Sequence, residues 1–190
     1  AKYMKQHRAV LFGATSLKVV RAKVGQNGEP LVYFSATASA QDRQSVKFGA
    51  VTPITADGYF LTANHNFNES MEYSLIMAEN GNASIKSIRI VWQNPETDMA
   101  LIKADIKTSN FYRWAQEKQP AQEPVMVAST KGHPTRGNLI TRIPNLENAS
   151  DSSYEILHDS LVIGGDSGSP LVNLRGELLG VNVASLTWKT

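Results

Sequence analysis

Three residue types that can together make a hydroxyl attack a carbonyl are spread through this 190-residue chain. The densest signal is Gly164-Gly165-Asp166-Ser167-Gly168-Ser169-Pro170, followed by Leu171-Val172. Consecutive glycines let the backbone turn where a side chain would clash, and Gly168 and Pro170 redirect it into a strand. Such a loop can hold Ser167 outward and turn the N–H groups of Gly165 and Ser167 toward one point, as a developing oxyanion requires. Taken alone, the same residues also fit a plain Gly/Ser hairpin. A serine is moreover a weak nucleophile by itself, so the chemistry needs a base and an orienting carboxylate.

The candidate base is His65, at the end of Tyr59-Phe60-Leu61-Thr62-Ala63-Asn64-His65 and behind the Asp57-Gly58 turn. A histidine at a strand end can face a cleft, and its ordinary pKa suits proton transfer near neutral pH. His7 in a basic arm, His133 in a Gly/Pro turn and His158 at the end of an expected strand are weaker candidates. The candidate carboxylate is Asp98 in Thr97-Asp98-Met99-Ala100-Leu101-Ile102-Lys103. An aspartate just before an apolar strand has an anchored backbone, and if it points inward it must be paired. Each of the two, alone, also reads as an ordinary surface or turn residue.

The elements that must position these groups read as short strands between turn residues. Arg8–Phe12, Leu17–Val24, Leu31–Ala38, Lys47–Ile54, Tyr59–Thr62, Tyr73–Ala78, Ser84–Trp92 and Met99–Ala104 form a first group, with the polar Ala40–Gln44 as a separator. Pro124–Ser129, Asn138–Ile143, Tyr154–His158, Pro170–Leu174 and Glu177–Ser185 form a second. Asp105–Pro124 breaks the rhythm, with a helical turn expected around Phe111–Ala115. The organisation expected is one domain of two lobes: 1–110 with a basic N-terminal arm, a linker over 111–123, and 124–190. Strands at close intervals with almost no helix indicate an all-β barrel or sandwich.

Composition narrows the function classes. A hydrophobic content of 42% supports a buried interior, and 19% charged residues excludes a disordered chain. The net charge of +2 predicts no nucleic-acid partner, although the first 23 residues carry six Lys/Arg (Lys2, Lys5, Arg8, Lys18, Arg21, Lys23) and no acid. No cysteine is present, so there is neither a disulfide nor a thiolate metal site. No apolar run approaches the length of a membrane span.

With these residues in hand, the chain resembles the chymotrypsin-like (trypsin-like) serine protease family from about Phe48 to Ser185. The segment from Phe48-Gly49-Ala50-Val51 to His65 is similar to the histidine segment of bacterial HtrA-type proteases, and Asp98–Lys103 to their aspartate segment. Gly165–Asn173 with Gly176–Asn182 is similar to their serine segment, while Ser169-Pro170 resembles glutamyl endopeptidases. The order His, Asp, Ser is that of the chymotrypsin barrels, unlike those of subtilisin and the α/β-hydrolases. The resemblance implies two six-stranded antiparallel β-barrels with the active site in the cleft, His65 and Asp98 from the first and Ser167 from the second. It implies catalytic roles for these three, an oxyanion hole from Gly165 and Ser167, a protein or peptide substrate and no metal or cofactor. A periplasmic or secreted bacterial setting is expected.

By the family's spacing, the primary specificity pocket would be floored near Leu161, with Val162 and Ile163 beside it and Val183-Ala184-Ser185 opposite. No carboxylate lies at the floor and no histidine on the Val181–Ser185 strand, so the expected cleavage site follows a small or medium apolar residue rather than Lys, Arg or Glu. Several positions depart from the family. Ser169 stands where many relatives have glycine, and Asn64 replaces a small residue. Val183 stands where many have a Ser or Thr that helps hold the aspartate. The family's Ile/Val-Val-Gly-Gly terminus, whose ammonium pairs with the aspartate before the nucleophile, is not at Ala1-Lys2. Asp166 therefore needs another partner or lies near solvent, and activation by that kind of zymogen cleavage is not expected. The chain stops five residues after Ser185, without the family's C-terminal helix or a PDZ domain, as a compact or shortened member would. Two other readings fit the same residues: a non-catalytic protein-binding module on a protease fold, or an esterase or protease dedicated to one polyprotein.

Overall fold

The computed structural model describes residues 7–184, apart from 27, 80, 109, 117–119, 130–133 and 145–153. Lys2, Lys5, His133 and Ser185 lie outside the described residues. The first sheet is built from β1 (His7–Ala14), β4 (Val46–Ala50), β5 (Thr52–Pro53), β6 (Tyr59–Ala63), β7 (Glu72–Glu79), β8 (Asn82–Asn94) and β9 (Met99–Ala104). Its order is β4-β1-β7-β8-β9-β6-β5, with every neighbouring pair antiparallel. The two edge strands, β4 and β5, are separated in the chain by Val51 alone. One residue cannot span a seven-strand sheet, so the sheet must curl until its edges meet, and the expected single strand Lys47–Ile54 closes it by belonging to both ends. The seven strands are thus six with one shared, which close a first antiparallel barrel.

Period-two burial fixes which face looks inward. Along β9, Ala100, Ile102 and Ala104 are fully buried and alternate with less buried neighbours. Ile102 and Ala104 join Leu11, Val51, Phe60, Leu75 and Met77 in the barrel interior. The other face of β1 and β7 presents Phe12, Ala14 and Ile76, which pack with Val20 and, from the hairpin β2 (Val20–Val24) and β3 (Pro30–Phe34), with Ala22, Val32 and Phe34. A strand covered on both faces is what the unbroken apolar run Ala9–Phe12 specifies. A short helix, α1 (Ala40–Gln44), replaces the expected polar separator. It is set by a capping box, in which Ser39 Oγ accepts from the Asp42 N–H and Asp42 accepts from the Ser39 N–H. The hydrogen bonds from Ser39 hold the Asp42 carboxyl below its ordinary range.

The second sheet runs β12-β11-β10-β13-β14, from β10 (Pro124–Val127), β11 (Thr135–Pro144), β12 (Tyr154–His158), β13 (Pro170–Asn173) and β14 (Leu178–Val181). Its core is Val125, Val127, Leu139 and Leu171, with Ile156, Val162 and Leu179 against it. The expected Arg175-Gly176 hairpin joins β13 to β14, with Gly176 at φ 80.

The expected helical turn around Phe111–Ala115 does not form. The segment is extended and ties the two sheets together: the Tyr112 N–H donates to the Pro53 carbonyl, the Ala115 N–H to Leu178, and the Leu178 N–H to Arg113. Two strand edges offer it hydrogen bonds that a helix would have to forgo. Among the described residues no helix is long and apolar enough to cross a membrane.

Candidate active site

The pairing of β6 with β9 brings two of the three residues together. Ala63 lies opposite Met99, so the residues just beyond these strand ends meet. After Ala63 the chain enters a single 3-10 turn, Asn64–Asn66, and before Met99 it leaves a turn that ends at Asp98. The Asn64 N–H donates to the Asp98 carbonyl at 2.9 Å, pinning one turn to the other. Asp98 itself sits at φ 51, a left-handed conformation that aspartate tolerates better than most residues. That twist points its carboxylate back at the histidine. Oδ1 accepts from the His65 backbone N–H at 2.8 Å, and Oδ2 lies 2.6 Å from His65 Nδ1. With Nδ1 facing a carboxylate, the ring carries its proton there and leaves Nε2 as the acceptor. Asp98 is thereby oriented without a hydroxyl at position 183.

Nε2 lies 2.9 Å from Ser167 Oγ. The serine is held there by a loop that only glycine can complete. Gly165 adopts φ 97 and Gly168 φ 94. A Cβ on Gly168 would fall 2.3 Å from the Ala50 carbonyl oxygen and 2.5 Å from Thr62 Oγ1. The loop is thus driven against the first barrel. The Ala50 N–H donates to the Ser167 carbonyl at 2.9 Å, and Thr52 Oγ1 donates to the Gly168 carbonyl at 2.8 Å. From the other side, the Gly168 N–H donates to the Asn182 carbonyl, and Asn182 Nδ2 donates to the carbonyl and hydroxyl oxygens of Ser169 at 2.9 and 3.0 Å.

Asp166 is fully buried rather than near solvent. Its Oδ1 accepts from Ser129 Oγ at 2.9 Å and its Oδ2 from the Ile163 N–H at 3.1 Å. A hydroxyl at the end of β10 and a backbone amide are thus two of the partners that the sequence left unnamed.

Beside Ser167 opens a cavity of about 240 Å3 lined by His65, Val162, Ile163, Gly164, Ser167, Asn182, Val183 and Ala184. Four of the expected pocket residues, Val162, Ile163, Val183 and Ala184, line it. Leu161 does not: the residue is 64% exposed, and its carbonyl accepts from Thr135 Oγ1. His158 also reaches the site indirectly, with Nε2 2.8 Å from Asn182 Oδ1.

Sequence reasoning missed the polar residues that hold these groups. Asn66, Thr62, Thr52, Asn182 and Ser169 are all buried. Lys47 also contributes, its Nζ donating to the His65 carbonyl. The available signal was a Thr or Asn inside or beside an otherwise apolar strand, where an unpartnered polar group would be costly.

A β-barrel pair that sets an aspartate, a histidine and a serine in one hydrogen-bonded line has the architecture of a trypsin-like hydrolase. Residues 49–181 match the model of the trypsin-like peptidase domain, and the chain belongs to that family. It is 29% identical over 147 residues to a probable periplasmic serine endoprotease, DegP-like, of Pseudomonas fluorescens, covering 75% of this chain and 30% of that protein. A protein of the same description from Rhizobium meliloti is 29% identical over 137 residues, 69% of this chain and 26% of the relative. The chain therefore spans about a third or less of the curated relatives it matches. Among solved structures, Deg5 superposes with a TM-score of 0.65 at 16% identity, covering 93% of this chain and 79% of that one. The HtrA-type protease AlgW, with a decapeptide, superposes at 0.63 with 20% identity over 97% of this chain and 57% of that one. At such identities the superpositions speak for the fold alone.

Proposed function

We propose that this chain is a serine endopeptidase domain in which Ser167 is the nucleophile, His65 the general base and acid, and Asp98 the orienting carboxylate. The observation that carries the reading is the line Asp98 Oδ2–His65 Nδ1 at 2.6 Å and His65 Nε2–Ser167 Oγ at 2.9 Å. In the acylation step Oγ bonds to the substrate carbonyl carbon while its proton passes to Nε2. The carbonyl oxygen becomes an oxyanion, received by the N–H groups of Gly165 and Ser167. The C–N bond then breaks as His65 returns the proton to the departing amine, and water reverses the sequence to free the acid. Asp98 stabilises the imidazolium formed in between. The residues supply nucleophile, base and oxyanion donors without calling on a metal or cofactor. Residues 1–110, 111–123 and 124–190 serve as the first lobe, linker and second lobe of one protease domain.

The substrate is a protein or peptide chain. Val162, Ile163, Val183 and Ala184 line a cavity that suits a small or medium apolar side chain before the cleaved bond. The relatives' names place them in the periplasm, and an extracytoplasmic setting is the one we propose here. A fluorophosphonate probe tests the reading: it labels Ser167 in the wild type and nothing in Ser167→Ala, and peptide hydrolysis disappears with the label. An unlabelled, folded wild type would leave only a binding module. A peptide-library profile dominated by Lys or Arg would overturn the pocket assignment.

A further inference from the structure

Asn66 follows His65 directly in the 3-10 turn and is 2% exposed. A carboxamide buried so completely must spend its donors, and Nδ2 spends both: one on Thr62 Oγ1 at 3.0 Å, the other on the carbonyl oxygen of Ser167 at 2.9 Å. The Thr62 hydroxyl in turn donates a hydrogen bond to the Ala50 carbonyl at 2.7 Å, and the Ala50 N–H donates to the same Ser167 carbonyl. The ring of bonds Asn66–Thr62–Ala50–Ser167 is closed. Room for it is made at Gly49, where a Cβ would lie 2.3 Å from Asn66 Nδ2 and 2.6 Å from its Cγ. One side chain therefore fixes the residue beside the base to the backbone of the nucleophile, across the boundary between the two sheets.

We propose that Asn66 is a positioning residue that sets the distance and angle between His65 Nε2 and Ser167 Oγ, with Gly49 as its obligatory neighbour. The proposal rests on the endopeptidase reading above. Its energetic logic is geometric: proton transfer between the two atoms is effective only near their observed separation, and a misplacement of about 1 Å can cost about 100-fold in rate. Without Asn66 the two turns remain attached to their own sheets, but the bond from the histidine turn to the serine backbone is lost, and only the His65–Ser167 contact itself joins them directly.

Three variants test this: Asn66→Ala, Gly49→Ala and the double variant Gly49→Ala/Asn66→Ala. The double variant matters most, because the added methyl group fills part of the space the carboxamide vacates and so restores packing without restoring the hydrogen bonds. Each is followed by thermal unfolding, by the rate of fluorophosphonate labelling and by kcat and KM on a peptide substrate. We expect labelling and kcat to fall by about 10- to 100-fold with KM nearly unchanged. The double variant recovers most of the thermal stability while its kcat stays low. A purely structural role predicts instead that kcat returns with stability. A folded double variant that labels and turns over at the wild-type rate overturns the proposal. If the wild type itself fails to label, it is the endopeptidase reading that falls, so the two failures are distinguishable.

Discussion

Asp98 offers one carboxylate oxygen to the His65 ring and the other to the His65 backbone N–H. An amide cannot do both, because it has only one acceptor oxygen. In Asp98→Asn the backbone N–H claims that oxygen, and the amide nitrogen turns its protons toward Nδ1. The ring then takes the opposite tautomer, with its proton on Nε2 facing Ser167 Oγ, where it cannot act as a base. We expect kcat on a peptide substrate to fall by about 10³–10⁴-fold while the urea midpoint hardly moves, since a pair 45% and 31% exposed adds little to stability. A loss of less than tenfold would mean that Asp98 does not set the tautomer. Gly168→Ala acts through the backbone instead. It combines a left-handed φ of 94 with a contact of 2.3 Å to the Ala50 carbonyl oxygen, so a loss of about 3 kcal/mol or more in urea unfolding is expected, together with loss of labelling. At this scale the sequence singled out His65, Asp98 and Ser167, which the structure brings within hydrogen-bond distance of one another. It was silent on Asn66 and Ser129, because a buried donor in a turn follows no period and reveals itself only when the carbonyl or carboxylate it serves is folded onto it.

Elements with a strong two-residue alternation were readable almost to the residue. Met99–Ala104 is one case, its Ala100, Ile102 and Ala104 all buried. The strap over 110–116 was not, since its partners are the edges of two sheets more than 50 residues away in either direction, Pro53 and Leu178. Its short apolar and aromatic residues fit a helical turn locally, and tertiary hydrogen bonding overrides that preference. Tyr112 makes the strap measurable. Burial pushes its phenol up to about 12, so the folded protein holds the phenolic proton more tightly than the unfolded chain does. Stability from this source is complete below the ordinary tyrosine value of about 10 and is lost as pH climbs from there toward 12, by about 3 kcal/mol in all. Urea unfolding across that range should therefore show a decline that is shallower by one proton in Tyr112→Phe. An identical slope in the variant would mean that the strap opens before the phenol ionises.

The two sheets of the molecule are joined by polar contacts more than by oil. Each of the three apolar clusters draws its residues from one side of the boundary: Leu11 to Ile106 in the first sheet and its hairpin, Val125 to Leu179 in the second. What crosses between them, among the described residues, includes the strap and the bonds to the serine loop from Ala50, Thr52 and Asn66. A serine lodged at such a seam meets His65 only while both halves are folded, so on the proposed reading activity is coupled to the cooperativity of both sheets. Thr52 isolates this coupling. It is fully buried, its hydroxyl meets the Gly168 carbonyl, and Thr52→Val keeps the shape while removing the donor. The carbonyl left without that donor costs about 1–3 kcal/mol. If the seam is what makes the halves unfold together, the penalty should fall unevenly: amide hydrogen exchange should quicken in β10 and β13 by about 10-fold or more relative to β7 and β9, whose apolar clusters lie within the first sheet and its hairpin. Equal acceleration in both sheets would mean that the halves are locked by something other than the serine loop, and that Thr52 is only one more buried hydroxyl.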